Sequence, residues 1–186
     1  MKRKGVDFKC MATSTSVPVE EYLRTSYEPD MEYVDGELVE RHVGERKHSR
    51  LQTLAVLLLG ARERQGKFHV MTEQRLRVVG KKHRYRIPDV CVMALPYRSE
   101  PVFTTPPHLI IEIVSPEDET ADLLAKLADY LRFGVAHIWI ADPYKHTVQE
   151  ADRDGIRPCP GLMLDTELVG HVDFKDLFAK LEEPTD

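Results

Sequence analysis

Hydrophobic positions in the middle of the chain alternate between helical spacing and the dense pattern of buried strands. From about residue 45 to 65 leucines recur at helical spacing, and Gly66 follows as a helix end. The next predicted elements are strands over about 68–79, 85–94 and 108–114, a helix over about 118–133 that Gly134 closes, and a strand in "AHIWIADP". The pattern therefore predicts the order αβββαβ.

The segments on either side of this core are shorter. "SVPVEEYLRTSY", from Ser16, predicts a short helix, and Asp35-Gly36 between two β-prone arms predicts a hairpin. Towards the carboxyl end, "KHTVQEADRDG" predicts a strand that runs into a turn, and "FKDLFAKLEE" predicts a terminal helix that packs on the outside. A helix between doubly buried strands favours a parallel crossover, whereas the earlier strands suggest an antiparallel meander. We therefore expect an α/β fold with a mixed β-sheet and an N-terminal β-hairpin.

Two acidic residues interrupt these buried strands. Glu112 stands in "HLIIEIVSPEDE", where apolar residues fill both faces, and Asp89 shares a strand face with Ile87, Cys91 and Met93 in "YRIPDVCVM". Burying an unpaired charge is costly, so such a residue normally has a partner, a metal ion or a shifted pKa. Mg²⁺ prefers one or two carboxylates together with water and phosphate oxygens. The two acids therefore predict a site for a divalent cation, with the pKa of both carboxyls raised while no metal is bound.

Lys126 is the candidate for a basic group at this site. It lies about eight residues into the predicted helix, which runs back along the sheet by ~12 Å and so returns to the level of Glu112. It also shares a helix stripe with Leu123 and Tyr130. A surface pair with Asp122, at i, i+4, accounts for the residue equally well. Spacing alone leaves both alternatives open.

The composition is that of one soluble domain. The chain has 186 residues, of which 42% are hydrophobic and 31% charged, and no apolar run reaches the ~20 residues that span a bilayer. We expect one domain over residues 17–181, with a disordered N-terminal tail over 1–16 and a C-terminal tail over 182–186. Three cysteines without C-x-x-C spacing indicate free thiols in a reducing compartment, which we take to be the cytoplasm.

The charge pattern bears on nucleic-acid binding. A net charge of −5 argues weakly against a protein that binds nucleic acid with its whole surface. The densest basic stretch is "RLRVVGKKHRYR", which contains Arg75, Arg77, Lys81, Lys82, Arg84 and Arg86. These six residues either follow a phosphate backbone or form a solvated hairpin tip.

The order and spacing of several segments resemble a known family. Pro88-Asp89, followed 23 residues after the Asp by Glu112, is similar to the PD-(D/E)-x-K pattern of nucleases. The fuller set resembles the Uma family of putative restriction endonucleases over about residues 17–180: "EYVDGELVE", a helix that carries His48, "TEQRLRV", "YRIPDV", "LIIEIVSPEDE" and "DLLAKLADYLRFGVAHIWIADP". Val114 stands where the nuclease superfamily has its lysine. The resemblance implies that this lysine has moved to Lys126.

The resemblance also implies a restriction-endonuclease-like core and an endonuclease that depends on Mg²⁺ or Mn²⁺. Its expected partners are nucleic acid, DNA in the first place, and a second copy of the chain in a homodimer. Asp89 and Glu112 would hold the metal ion, and Lys126 would orient a water molecule and offset developing charge. Glu73 is similar to an acid that recurs near such sites or is a solvent-facing strand residue. His48 is a site histidine or a partly buried core histidine.

Two other functions stay open. A non-catalytic, oligomeric interaction module could retain the nuclease fold, and a hydrolase of smaller phosphoesters could use the same residues. Metal binding separates the module from the nuclease, and a comparison of substrates separates the two hydrolases.

Other ionisable residues are given structural roles. Glu32 and Glu37, in the predicted hairpin, are expected to be surface charges. His108, His137 and His146 lack the H-x-x-x-H spacing that is typical of zinc ligands on one helix. The spacing therefore predicts no zinc site.

Overall fold

The structure is a computed structural model, which describes residues 16–27, 29–41, 45–79 and 83–182. The two predicted tails, over 1–16 and 182–186, lie outside these residues except for Ser16 and Glu182. No helix in the described part of the chain has the length and apolar character needed to cross a membrane.

The elements follow the predicted order with additions at the carboxyl end. The helices are α1 (Val19–Arg24), α2 (Arg46–Arg62), α3 (Thr120–Phe133) and α4 (Phe174–Ala179), and a short 3-10 turn covers Glu63–Gln65. The strands are β1 (Met31–Val34), β2 (Glu37–Glu40), β3 (Phe68–Thr72), β4 (Leu76–Val78), β5 (Arg84–Arg86), β6 (Val90–Ala94), β7 (Leu109–Ile113), β8 (His137–Asp142), β9 (Thr147–Asp152), β10 (Gly155–Pro158), β11 (Met163–Thr166) and β12 (Gly170–Asp173).

A six-stranded sheet forms the centre of the fold. Its strand order is β10-β9-β8-β7-β6-β3, and β7 and β8 pair in parallel while the other neighbours are antiparallel. Helix α3 makes the crossover between the two parallel strands, as parallel pairing requires a long connection. The succession α2, β3, β6, β7, α3, β8 confirms both the αβββαβ order and the mixed sheet.

Residues with positive φ lie at the predicted ends of α2 and α3 and in the predicted turn of the first hairpin. Gly66 (φ 70°) follows the turn that ends α2, and Gly134 (φ 101°) ends α3. Asp35 (φ 56°) and Gly36 (φ 108°) form the two-residue turn between β1 and β2, which confirms the predicted hairpin.

Two segments predicted as continuous strands are each divided between two sheets. The predicted strand over 68–79 becomes β3 and β4, and the strand over 85–94 becomes β5 and β6. Strands β4 and β5 join the hairpin in a second sheet, of order β2-β1-β5-β4. The chain leaves the central sheet at Glu73 (φ 54°), and the Glu73 N–H donates to the Pro88 carbonyl at 3.1 Å where the chain returns. The prediction of one strand through Ile87 and Asp89 is therefore wrong, because the chain changes sheets at Pro88.

Both faces of the central sheet are covered. One face packs on α2 and α4 through residues such as Leu51, Leu59 and Phe174, and the other packs on α3 through Leu127 and Tyr130. The inner strands are therefore buried on both faces, as their hydrophobic runs predict. Helix α1 packs on the second sheet through a separate cluster of Tyr22, Tyr33 and Tyr85.

The carboxyl-terminal part adds a hairpin that the sequence does not predict. Strands β11 and β12 pair with each other outside the central sheet. The predicted strand over "KHTVQEADRDG" and the terminal helix are confirmed as β9 and α4. Cys91 and Cys159 are free thiols, as predicted, whereas Cys10 lies outside the described residues.

Candidate active site

A cleft of about 210 Å³ lies where the two sheets and α3 meet. Its walls come from β1, the ends of β2 and β7, the residue before β6, the first turn of α2 and the inner face of α3. Asp89, Glu112, Lys126 and His48 all line it. Four of the five residues predicted to be catalytic are thus brought together by the fold.

Asp89 is held in place by contacts on both of its carboxylate oxygens. The side chain is buried, and its Oδ2 accepts a hydrogen bond from the Ile113 N–H at 2.8 Å, which anchors it to the end of β7. Oδ1 accepts from the Arg41 guanidinium at 2.6 Å, and His48 Nε2 lies 3.3 Å from Oδ2. The change of sheet at Pro88 turns Asp89 towards this cleft.

Glu112 is buried and faces α3. Its Oε2 accepts from Lys126 Nζ at 2.9 Å and its Oε1 accepts from the Tyr130 hydroxyl at 2.7 Å. Lys126 therefore reaches the level of Glu112, as the helix geometry predicts. The Lys126 Nζ also lies 3.4 Å from Glu32, so the partners of Lys126 are Glu112 and Glu32 rather than Asp122.

The two acids differ in their protonation. Burial raises the pKa of Glu112 to about 7, with the negative charge of Asp89 adding to the effect and the charge of Lys126 opposing it. Burial also raises the pKa of Asp89, but the hydrogen bond from His48 and the charges of Lys126 and Arg41 bring it below its ordinary value. The prediction of two raised pKa values is therefore right for Glu112 and wrong for Asp89, which has more cationic neighbours.

Glu32 is a buried member of the site, so the prediction of a surface charge is wrong. Its carboxylate accepts from Arg86 Nη1 at 2.7 Å and from the Ile87 N–H at 2.9 Å. Arg86 also contacts Asp129 on α3, at 2.8 Å through Nε. The alternation of β1 places Glu32 on the inner face of the hairpin, where Arg86 compensates its charge.

Arg86 is consequently a core residue. Its side chain is 6% exposed, and its guanidinium group pairs with two buried acids, Glu32 and Asp129. Arg86 also lines the cleft, so its contact with a phosphate backbone stays a prediction, whereas its burial excludes the alternative of a solvated hairpin tip.

Among the described residues, Arg84, Arg75 and Arg77 have different surroundings. Arg84 pairs with Asp35 and with Asp129, and Arg75 stacks over the Tyr22 ring with its guanidinium carbon 4.5 Å from the ring centre. Arg77 is exposed, on β4. Lys81 and Lys82 lie outside the described residues. For these five residues, contact with nucleic acid stays a prediction.

His48 and Glu73 lie at different depths. His48 sits in the first turn of α2, and although burial lowers its pKa, the hydrogen bond with Asp89 and the charge of Asp89 raise it above its ordinary value. The structure thus places His48 at the site rather than in the hydrophobic core. Glu73 is half exposed, and its Oε1 lies 4.0 Å from Arg41, at the rim.

Sequence reasoning missed Arg41, Glu32 and Tyr130. Arg41 and Glu32 belong to the hairpin, and their signal is weak because charged residues on a short hairpin ordinarily face water. Tyr130 had a usable signal, because it stands four residues after Lys126 on the same helix face.

The donor set suits a hard divalent cation. Hydrogen bonds among the described residues use one lone pair on Asp89 Oδ1 and one on Glu112 Oε2, which leaves each oxygen able to bind a metal ion. Carboxylate oxygens are the ligands that Mg²⁺ and Mn²⁺ prefer. Four more acids line the cleft and attract cations to it: Glu40, Asp118, Glu119 and Asp122.

The mixed sheet in αβββαβ order, with an Asp directly before β6, a Glu on the neighbouring strand β7 and a lysine on α3 beside the Glu, defines a restriction-endonuclease-like core. The chain belongs to the Uma2 family, described as "Putative restriction endonuclease", whose model matches residues 19–164. No match was found among curated proteins. The family assignment supports a nuclease function.

Two solved structures are similar to this chain. One is the crystal structure of a putative nuclease belonging to DUF820 from Anabaena variabilis, with a TM-score of 0.76 and 23% identity, covering 89% of this chain and 99% of that chain. The other is a DrdV–DNA complex, with a TM-score of 0.43 and 16% identity, covering 77% of this chain and 12% of that chain. The first shows that the fold is shared.

Proposed function

We propose that the protein is a divalent-metal-dependent endonuclease that hydrolyses phosphodiester bonds of DNA. The observation that carries the proposal is the convergence of Asp89, Glu112 and Lys126 in one cleft at the meeting point of two sheets. Buried acids of this kind are costly to a fold, and such a cost is most often met at a functional site.

Asp89 and Glu112 are the residues that would hold Mg²⁺ or Mn²⁺. When bound there, the ion supplies polarisation of a phosphoryl oxygen and a lowered pKa of a coordinated water. The Ile113 N–H fixes Asp89 and the Tyr130 hydroxyl fixes Glu112, so both carboxylates are oriented before a cation arrives.

Lys126 supplies a fixed positive charge. Burial lowers its pKa, but Glu112 and Glu32 raise it above its ordinary value, so the ammonium group stays protonated at neutral pH. It can donate to a water or phosphate oxygen beside Glu112 and stabilise negative charge that develops there.

Cationic side chains stand beside both proposed metal ligands. Arg41 pairs with Asp89 and Lys126 pairs with Glu112, so a phosphodiester bound next to the cation would meet both positive charges. Arg41, whose side chain is 15% exposed, is placed to exchange Asp89 for a phosphate oxygen.

Metal binding tests the proposal against a non-catalytic module. Calorimetric titration with Mn²⁺ should show one site in the wild-type protein and a loss of affinity of at least ~100-fold in Asp89→Asn. Asp176→Asn, an exposed acid on α4 outside the cleft, is the matched control and should retain the site. Equal Mn²⁺ affinity in all three proteins would exclude Asp89 from the metal site.

Substrate and assembly are tested separately. Rates on plasmid DNA, single strands and small phosphate esters should fall in that order. A preference for the small esters would indicate a hydrolase of small phosphoesters and not an endonuclease.

We further propose that the protein is cytoplasmic and that it forms a homodimer, because two copies present one cleft to each strand of a duplex. Light scattering after size exclusion should give twice the chain mass.

A further inference from the structure

Two histidines lie side by side at the end of the central sheet where the inner strands β7 and β8 begin. His108 immediately precedes β7 and His137 is the first residue of β8. The parallel register brings them side by side, since the His137 N–H donates to the His108 carbonyl at 3.0 Å, and their ring centres lie 4.9 Å apart. Glu112 comes four positions after His108, which is about 13 Å along the strand at ~3.3 Å per residue. The pair is thus distinct from the proposed active site.

A carboxylate from another element faces both rings. Glu167 lies in the turn between β11 and β12. Its Oε1 lies 3.7 Å from His108 Nε2 and its Oε2 lies 3.6 Å from His137 Nε2. One ligand atom from each residue can be chosen so that all three lie within 4.8 Å of one another.

Two of the ligand-to-ligand distances, each to a different oxygen of Glu167, are close to those of a tetrahedral metal site. Zn²⁺ binds imidazole nitrogen and carboxylate oxygen at ~2.0–2.2 Å, so neighbouring ligand atoms of a tetrahedron stand about 3.3–3.6 Å apart. The two distances from Glu167 are within a few tenths of an ångström of that range. The exposed Glu167 side chain can rotate to present one oxygen towards both rings, and metal binding would also draw the two imidazole nitrogens together.

Each ring has a further neighbour besides Glu167. His108 Nε2 lies 3.1 Å from the Thr166 hydroxyl, which already accepts from the Leu168 and Val169 N–H groups, so a metal ion bound at this nitrogen would replace the Thr166 contact. The opposite nitrogen of the other ring, His137 Nδ1, lies 3.8 Å from Glu150 Oε1. A carboxylate behind a ligating histidine orients the ring and raises its basicity.

We propose that His108, His137 and Glu167 form a second, separate metal site, which takes Zn²⁺ or another ion that imidazole suits, such as Ni²⁺ or Cu²⁺, and does not take Mn²⁺. Two imidazoles and one carboxylate select such ions over Mg²⁺, which requires oxygen ligands. Three protein ligands leave a fourth position for water, and the Glu167 side chain is 76% exposed, so an ion can enter from solvent. The bound ion would tie the β11–β12 hairpin to the central sheet.

The test is Zn²⁺ titration of the untagged full chain by calorimetry, in excess Mg²⁺, with thermal melts in parallel. The wild-type protein and Asp89→Asn should each bind one Zn²⁺ at this site, and the Tm should rise by about 5–10 °C at ~100 times the Kd. His137→Gln and Glu167→Gln should weaken binding by more than ~100-fold. His171→Gln, an exposed histidine on the same hairpin, is the control and should bind as the wild type does.

The outcomes are decisive in both directions. Glu167 is exposed, so Glu167→Gln keeps the fold and reports on the site even if a histidine variant does not fold. Absence of Zn²⁺ binding in the wild-type protein, or unchanged affinity in Glu167→Gln, would overturn the proposal. Loss of Zn²⁺ binding in Asp89→Asn alone would place the ion in the nuclease cleft instead. Failure of DNA cleavage would leave this second site unaffected.

Discussion

At the scale of single residues, the proposed hydrolysis depends on the buried pair of Lys126 and Glu112. Replacing Lys126 with Met removes one preorganised charge, which typically lowers a rate by ~10²–10³. The fold should persist, because Glu32 keeps Arg86 as a partner and Glu112 can take up a proton. We expect about 1–3 kcal/mol of destabilisation at pH 8 and less at pH 6, measured by urea denaturation.

Lys180→Met is the matched control for this variant. Lys180 makes an exposed i, i+4 pair with Asp176 at 3.4 Å, which is the arrangement that spacing alone allows for Lys126 and Asp122. Its loss should cost less than about 0.5 kcal/mol and leave cleavage unchanged. Equal behaviour of the two methionine variants would mean that Lys126 has no special role.

Glu112 should make stability fall as pH rises. Its carboxyl, with a pKa of about 7 in the folded chain against 4.5 ordinarily, binds a proton more tightly when folded. Its contribution is therefore fully present below about pH 4.5 and is lost as the pH rises through about 7. Between pH 5.5 and 8, Glu112→Gln should gain stability relative to the wild type on the order of 2 kcal/mol, at about 1.4 kcal/mol per pKa unit.

The measurement is a pair of urea titrations at the two pH values without metal. A free-energy difference between wild type and Glu112→Gln that does not change with pH would show that Glu112 titrates near its ordinary pKa. Tyr130→Phe is a useful companion, because it removes a hydrogen bond to Glu112 without removing a charge.

At the scale of elements, Asp129 joins α3 to the second sheet. It is fully buried and pairs with both Arg84 and Arg86 of β5. Asp129→Ala leaves these guanidinium groups short of a partner, which should cost about 3–5 kcal/mol in urea denaturation. Asp122→Ala, on the exposed face of the same helix, should stay within about 0.5 kcal/mol of the wild type. A small effect of Asp129→Ala would mean that the helix is held mainly by its apolar face.

Hydrophobic periodicity predicts the core elements because the residues within each helix or strand suffice to indicate which of its faces are buried. The runs around Ile110 and Ile140 are apolar on both faces, and α3 has one apolar stripe, so their burial can be read from neighbouring residues. The helix rise then suffices to place Lys126 beside Glu112.

The division of two strands between sheets could not be predicted in the same way. The segment from 85 to 94 has the local pattern of one strand. Its division follows from pairing with strands that are distant in sequence, since β5 pairs with β1 and β6 pairs with β3. The burial of Glu32 follows from this hidden pairing, since its partner Arg86 reaches it only after β1 and β5 have paired. The closeness of His108 and His137 likewise depends on the parallel register of β7 and β8.

At the scale of the whole molecule, the cleft exists only when three parts are assembled. The central sheet provides Asp89 and Glu112, the second sheet provides Glu32 and the adjoining Arg41, and α3 provides Lys126. A cleft of this kind concentrates acids that a simple hydrophobic core would avoid, which is the physical reason to expect a function there.

The most direct test of the account is the rate at which purified protein cleaves supercoiled plasmid DNA with and without Mg²⁺ or Mn²⁺. The account predicts nicked and linear products only when a divalent cation is present, and a rate at least ~10²-fold lower for folded Asp89→Asn under the same conditions. Cleavage that persists in a chelator, cleavage by Asp89→Asn at the wild-type rate, or intact plasmid with wild-type protein and either cation would contradict it.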